Sequence, residues 1–305
     1  MIFPEKLKRG DTVGLFAPSG PVSHEDALLS EQCLKDMGYH VKVAPGVYKK
    51  LHGYKAGPGE ERAADMHEMF SDPEIKGIFC IRGGDTSSHM MPHIDIEVVR
   101  KNPKVFVGYS DVTNLHVLFN QKAHLITFHG PMVRSNMIRD YDEFSKKALE
   151  DVLFMDREHV LENPQGVPFV TVRGGKAEGR LVGGNLALLT SMIGTPYEVD
   201  TKGKVLFIED INEDVARLDR MLHQLRYSGK FDDAVAVLVG DFGNSENSAD
   251  PSYGLHELIA DFFQDYDKPV LDYVIAGHCY PTSTLPLGMN CRVDADEKVI
   301  TFLNE

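Results

Sequence analysis

The chain has no tryptophan, only four cysteines, no basic run and no long apolar run, and each absence removes a class of protein. Lys and Arg number 32 against 46 Asp and Glu, a formal charge of −14, and no Lys/Arg cluster is long enough to track a phosphate backbone, which argues against a nucleic-acid partner. The opening residues MIFPEKLKRGD lack the apolar core of a signal peptide, and nothing later approaches the roughly 18 uninterrupted apolar residues of a membrane span. No membrane partner is expected, and the cytoplasm is the expected location. Cys33, Cys80, Cys279 and Cys291 are scattered and make no C-x-x-C pair, so they form no disulfide framework. Cys33 stands at an apolar helical position and Cys80 in an apolar strand, where each reads as a small buried hydrophobe. His278 and Cys279 are adjacent, but adjacent side chains seldom converge on one ion; no metal and no other cofactor is expected.

What is present is a globular chain of 305 residues, 42% hydrophobic and 26% charged, with room for two domains. Over the first 130 residues short apolar runs (TVGLFA, HVKVA, IKGIFCI, KVFVG) alternate with segments whose apolar residues recur at helical spacing, such as Leu29, Cys33, Leu34 and Met37. That alternation predicts an α/β fold: a mostly parallel N-terminal sheet domain with helices on both faces, over residues 1–160. The polar, proline-punctuated stretch DREHVLENPQGVPF reads as a linker. A smaller mixed α/β C-terminal domain, residues 161–305, then holds the buried strands KVLFIED and AVAVLVGDF. Its helices carry Val215, Leu218, Leu222 and Leu225, then Leu255, Leu258, Ile259 and Phe262, and short strands are expected at YVIAG, NCRVD and KVITFL.

In an open parallel sheet, ligands bind beyond the carboxyl ends of the strands. Two loops leave such ends and should share an edge: Arg82-Gly83-Gly84-Asp85 and Gly108-Tyr109-Ser110-Asp111. Ser110 or Asp111 reads either as the cap of the following helix or, for Ser110, as a nucleophile lifted above the sheet, although Val112 stands where a G-x-S-x-G elbow has its second glycine. Paired glycines free backbone N–H groups for an oxyanion, and Arg82 reads either as an anion contact or as an ordinary surface arginine. For a base, His116 lies on the apolar face of its helix and reads as core, whereas His129 in FHGPM and His278 in the loop after VIAG are candidates. Glu209, at the mouth of a strand, reads as the orienting carboxylate, as a cation ligand, or with Asp210, Glu213 and Asp214 as acids matching a helix dipole.

Taken in order, DTVGLFAPSGP, GYKAGPGEERAADMHEMFSDPEIKGIFCIRGG, VFVGYSDVTNLH, TFHGPM, GKAEGRLVGGNLALLTSMIGTPYEVDTKGKVLFIEDI and GHCYPTSTLPLG resemble the LD-carboxypeptidases, serine peptidases that trim murein peptides. The resemblance implies a triad completed across a domain cleft: Ser110 the nucleophile, Glu209 the carboxylate, His278 the base, with the backbone N–H groups of Asp111, Gly83 and Gly84 as the oxyanion hole. It implies a small-peptide substrate, release of the terminal D-alanine from a murein tetrapeptide, and a homodimer. The run RGGDTSSHMMPHID departs from the family pattern, and Asp85, Ser87 and Ser88 are expected to make the rim more polar. A sibling branch, the microcin C self-immunity peptidases, hydrolyses aminoacyl-nucleotide-like toxins; the lack of tryptophan to stack on a base leans against that branch. The remaining alternative is a non-catalytic peptide-binding module, against which the presence of all three triad residues argues.

Overall fold

Apolar runs and helical stripes resolve into alternating elements in the computed structural model, which describes residues 1–155 and 158–303. The chain begins β1 (Thr12–Phe16), α1 (His24–Asp36), β2 (His40–Val43), α2 (Gly59–Ser71), β3 (Ile75–Cys80), α3 (Ile96–Lys101), β4 (Val105–Gly108), α4 (Thr113–Leu118) and β5 (Thr127–His129). After α5 (Glu143–Leu153) follow β6 (His159–Val160), β7 (Val170–Arg173), β8 (Lys176–Asn185), α6 (Leu186–Ser191), β9 (Lys204–Ile211), α7 (Val215–Tyr227), α8 (Lys230–Asp233) and β10 (Ala236–Gly243). The chain continues with α9 (Leu255–Phe262), β11 (Val270–Asp272), β12 (Leu285–Leu287), β13 (Asn290–Asp294) and β14 (Val299–Leu303).

The first sheet has the order β12-β5-β4-β3-β1-β2 and is parallel except for β12, which runs antiparallel on β5. Strand β4 is buried along its whole length, as a strand covered on both faces must be. The second sheet has the order β6-β14-β13-β8-β9-β10-β11-β7, with a parallel centre from β8 to β11 and antiparallel flanks. Alternate residues of β9 enter two cores: Phe207 joins the large core shared with the first sheet, while Leu206 and Ile208 meet α7 and α9 on the other face. Helix α7 buries the predicted stripe Val215, Leu218, Leu222 and Leu225, and Asp214 caps it by accepting the Ala216 N–H at 2.9 Å. Among the described residues no helix is long and apolar enough to cross a membrane.

Several expectations shift. Of the expected linker, residues 156 and 157 lie outside the described residues, and His159–Val160 is an edge strand on β14. In α1 the stripe is rotated: Leu29 is 50% exposed, and Ala27, Ser30 and Leu34 face the core. The strand expected at YVIAG lies earlier, at β11, because Tyr273 takes a left-handed φ of 62° that no strand tolerates.

Candidate active site

Strands β3 and β4 are parallel neighbours, with Phe79 beside Val107, so the loops leaving their carboxyl ends do share an edge. Ser110 stands at the turn with φ of 63°, a left-handed conformation that costs a non-glycine residue on the order of 1–2 kcal/mol. The strained geometry of an elbow is therefore present without the second glycine. Gly83 approaches it closely: a Cβ placed there would lie 3.0 Å from Ser110 Cβ and Oγ and 3.4 Å from Asp111 N. Any larger residue at 83 would press on the serine.

The helix-cap reading of this turn is overturned. Neither the 3-10 turn Ser110–Val112 nor α4 has a side-chain cap. Asp111, buried at 1% exposure, instead turns toward the double-glycine loop, where its Oδ2 accepts the N–H groups of Thr86 (2.8 Å) and Ser87 (2.7 Å). Ser87 Oγ donates in turn to the Asp111 carbonyl at 2.6 Å. Ser87 is thus a fully buried brace and not part of a polar rim, while Asp85 is exposed. The brace fixes the Asp111 backbone beside Gly83.

The second sheet supplies the acid and the base. At the end of β9 the Glu209 side chain is fully buried, and its Oε2 lies 2.7 Å from His278 Nδ1. Burial alone would lower the His278 pKa, but the charge of Glu209, its hydrogen bond, and the charges of Asp210 and Asp241 outweigh it, leaving the imidazole above its ordinary value. With Nδ1 held by the carboxylate, Nε2 is the nitrogen that can take up a proton. The neighbouring acids do other work. Asp210 accepts from Asn185 Nδ2 (3.0 Å) and the Ala187 N–H (2.9 Å), and burial together with the charge of Glu209 pushes it up to about 6. Asp214 caps α7, so the dipole reading fits Asp214 and not Glu209.

Two contacts bring the sheets together at this point. The Asn185 N–H donates to Thr113 Oγ1 at 3.0 Å, seating the helix after Ser110 on the end of β8, one strand from Glu209. Tyr109, which precedes the serine, packs edge-on against the His278 ring with centroids 4.8 Å apart.

The other histidines separate. His116 is buried and satisfied, with Nδ1 at 2.8 Å from Thr127 Oγ1 and Nε2 at 2.8 Å from the Gly108 carbonyl, and burial pushes it down to about 4; it is core, as its helical position predicts. His129 is buried at 1% exposure between Tyr109 and Phe207, and burial drives its pKa well down, so it is no surface base. Arg82 is half-buried and folded against Gly20 and Pro21, unlike an ordinary surface arginine. Sequence reasoning placed Ser87 on the rim and not in the brace, and it did not single out Arg134, whose N–H donates to the carbonyl of Ile81, the residue before Arg82, at 2.8 Å.

A strained serine at a strand end and a histidine held by a buried carboxylate are the residue types that nucleophilic catalysis calls for. Residues 13–130 match the LD-carboxypeptidase N-terminal domain and residues 178–293 the LD-carboxypeptidase C-terminal domain. A probable murein peptide carboxypeptidase of Bacillus subtilis is 41% identical over 296 residues, covering 97% of this chain and 92% of that protein. Among solved structures, the microcin C7 self-immunity protein MccF in complex with glutamyl sulfamoyl guanosine superposes with a TM-score of 0.92 at 26% identity, covering 99% and 98% of the two chains. A muramoyltetrapeptide carboxypeptidase from Oxalobacter formigenes gives a TM-score of 0.85 at 28% identity, covering 96% and 99%. With both domain models matched in order over most of its length, the chain belongs to the LD-carboxypeptidase family.

Proposed function

We propose that this protein is a serine LD-carboxypeptidase that removes the terminal D-alanine from murein tetrapeptides inside the cell, in the recycling of cell-wall peptides. The observation that carries the reading is the 2.7 Å contact between His278 Nδ1 and the fully buried Glu209, on the sheet edge that Tyr109 and Thr113 join to Ser110. In the reaction His278 Nε2 takes the Ser110 proton as Oγ attacks the scissile carbonyl. The oxyanion is met by N–H groups of Asp111 and the Gly83–Gly84 loop, and Glu209 compensates the imidazolium. The protonated His278 then gives its proton to the leaving amine of D-alanine, and water, activated by the same imidazole, releases the acyl group from Ser110. The test is incubation of the protein with a murein tetrapeptide and mass spectrometry of the product. Loss of one alanine is expected, and an unchanged peptide would sink the reading.

A second reading, hydrolysis of aminoacyl-nucleotide-like conjugates, is supported by the likeness to MccF bound to glutamyl sulfamoyl guanosine. An aminoacyl sulfamoyl nucleotide in a parallel tube separates the two; the 41% identity to the murein peptide carboxypeptidase favours the first.

Gly277 gives a further expectation. It has φ of 115°, and a Cβ there would stand 2.6 Å from Glu209 Oε2. Gly277→Ala should displace the carboxylate from His278 and lower kcat by about 10- to 100-fold, since misplacement by about 1 Å costs that much. A variant that folds and keeps its kcat would show that the carboxylate position is not critical.

A further inference from the structure

We propose that Arg82 and Arg134 form the pocket for the substrate's terminal carboxylate, an inference that rests on the carboxypeptidase reading. An enzyme that removes only the last residue has to recognise the chain end, and a free carboxylate is what distinguishes that end from an internal residue. The carboxyl carbon lies three covalent bonds beyond the scissile carbonyl carbon, about 4 Å away. Its partners must therefore stand within a side chain's reach of Ser110.

Arg82 meets that condition, because it directly precedes Gly83, the residue pressed against Ser110. Its guanidinium is folded back along the Pro18–Pro21 loop: Nη1 donates to the Pro21 carbonyl at 3.2 Å, and Cζ would lie 3.2 Å from a Cβ on Gly20. Among the described residues Arg82 forms no ion pair, so most of its donors have no anionic partner. Arg134 is brought to the same edge by the hydrogen bond from its N–H to Ile81, and the next residue, Ser135, accepts the Tyr280 hydroxyl at 2.5 Å, close in sequence to His278. The Arg134 side chain is 30% exposed and, among the described residues, gives only Nε to a side chain, Asp26 Oδ2 (3.2 Å), a carboxylate that also faces Arg139 at 4.0 Å.

Both arginines are partly buried, and their like charges repel. Burial first, and then the charge of Arg134, lower the Arg82 pKa, while Asp85 and Asp26 offset this only in part. In a chain of formal charge −14 such a pair is a departure, and an anion between the two would relieve it. The planar guanidinium fork suits a carboxylate, which it can grip with two parallel hydrogen bonds.

The test measures binding, independent of turnover. Ser110→Ala protein is titrated by calorimetry with a murein tetrapeptide carrying a free C-terminus and with the same peptide as its C-terminal amide. The acid should bind about 10- to 100-fold more tightly than the amide, the range for charge-assisted hydrogen bonds. Adding Arg134→Gln or Arg82→Gln should reduce that preference to within about 3-fold, and Arg134→Lys should keep part of it. Melting curves confirm folding, and Arg82→Gln, which breaks no ion pair, carries the test if Arg134→Gln does not fold. An acid preference that survives both glutamine variants, or no preference in the Ser110→Ala protein, overturns the proposal. The tetrapeptide digestion above tests the catalytic reading separately.

Discussion

Replacing Ser110 by alanine should cut the release of D-alanine by about 10⁴- to 10⁶-fold while leaving the protein folded. In the proposed mechanism this hydroxyl forms the acyl-enzyme, and what would survive its loss is substrate binding and the proposed N–H donors of Asp111 and the double-glycine loop. Those donors are fixed by contacts that do not involve the hydroxyl: the Thr86 and Ser87 N–H groups on Asp111 Oδ2 and the Ser87 hydroxyl on the Asp111 carbonyl. Stability gives a second readout. Alanine inherits the left-handed φ of 63° and should melt close to the parent. Ser110→Gly removes the Cβ that makes this conformation costly, at some expense in unfolded-chain entropy, and should be equal in stability or up to about 1 kcal/mol better, although equally inactive. Product release by mass spectrometry and thermal melts of both variants check this. Retained turnover in Ser110→Ala would remove the serine from the mechanism.

How much of this was legible in the sequence depends on how local the cause is. The buried parallel strands were readable because a strand covered on both faces is a continuous apolar run, as in VFVG and KVLFI. The shared edge of the Arg82 and Ser110 loops followed from strand alternation alone. The role of Asp111 was not legible: its partners are N–H groups 24 and 25 residues upstream, and no local spacing records a bond of that kind. Strand β12 was missed for a similar reason. Pro286 lowers its strand propensity, and it is tolerated because β12 is an edge strand of the first sheet. Position along the chain did not separate His116, His129 and His278; their partners and burial do. His116 has two hydrogen-bond partners in the core, His129 is sealed among aromatic rings, and His278 faces a carboxylate on another strand. Resemblance pointed to His278 ahead of that geometry.

Glu209→Gln is the substitution that isolates the charge from the shape, and it should lower kcat/KM by about 10²- to 10⁴-fold. Glutamine fits where glutamate does but has one acceptor and one donor group. If its carbonyl faces His278 Nδ1, the amide donor occupies the position of Oε1, which is buried and has no hydrogen-bond partner among the described residues. If its amide faces Nδ1, the imidazole must carry its proton on Nε2, and the nitrogen that should receive the serine proton becomes a donor. In either orientation the imidazolium formed during attack loses its compensating charge. The pH profile distinguishes this loss from simple disruption. His278 acts as a base only when neutral, so kcat/KM falls as pH drops through its pKa. In the parent that pKa is raised, because Glu209 and the nearby acids outweigh burial, and the acidic limb should lie above the ordinary histidine value of about 6.5. Without the Glu209 charge burial remains and the raising influence weakens, so the limb of Glu209→Gln should move to lower pH. A limb that stays in place, or moves upward, would mean that Glu209 is not what sets the protonation of the base.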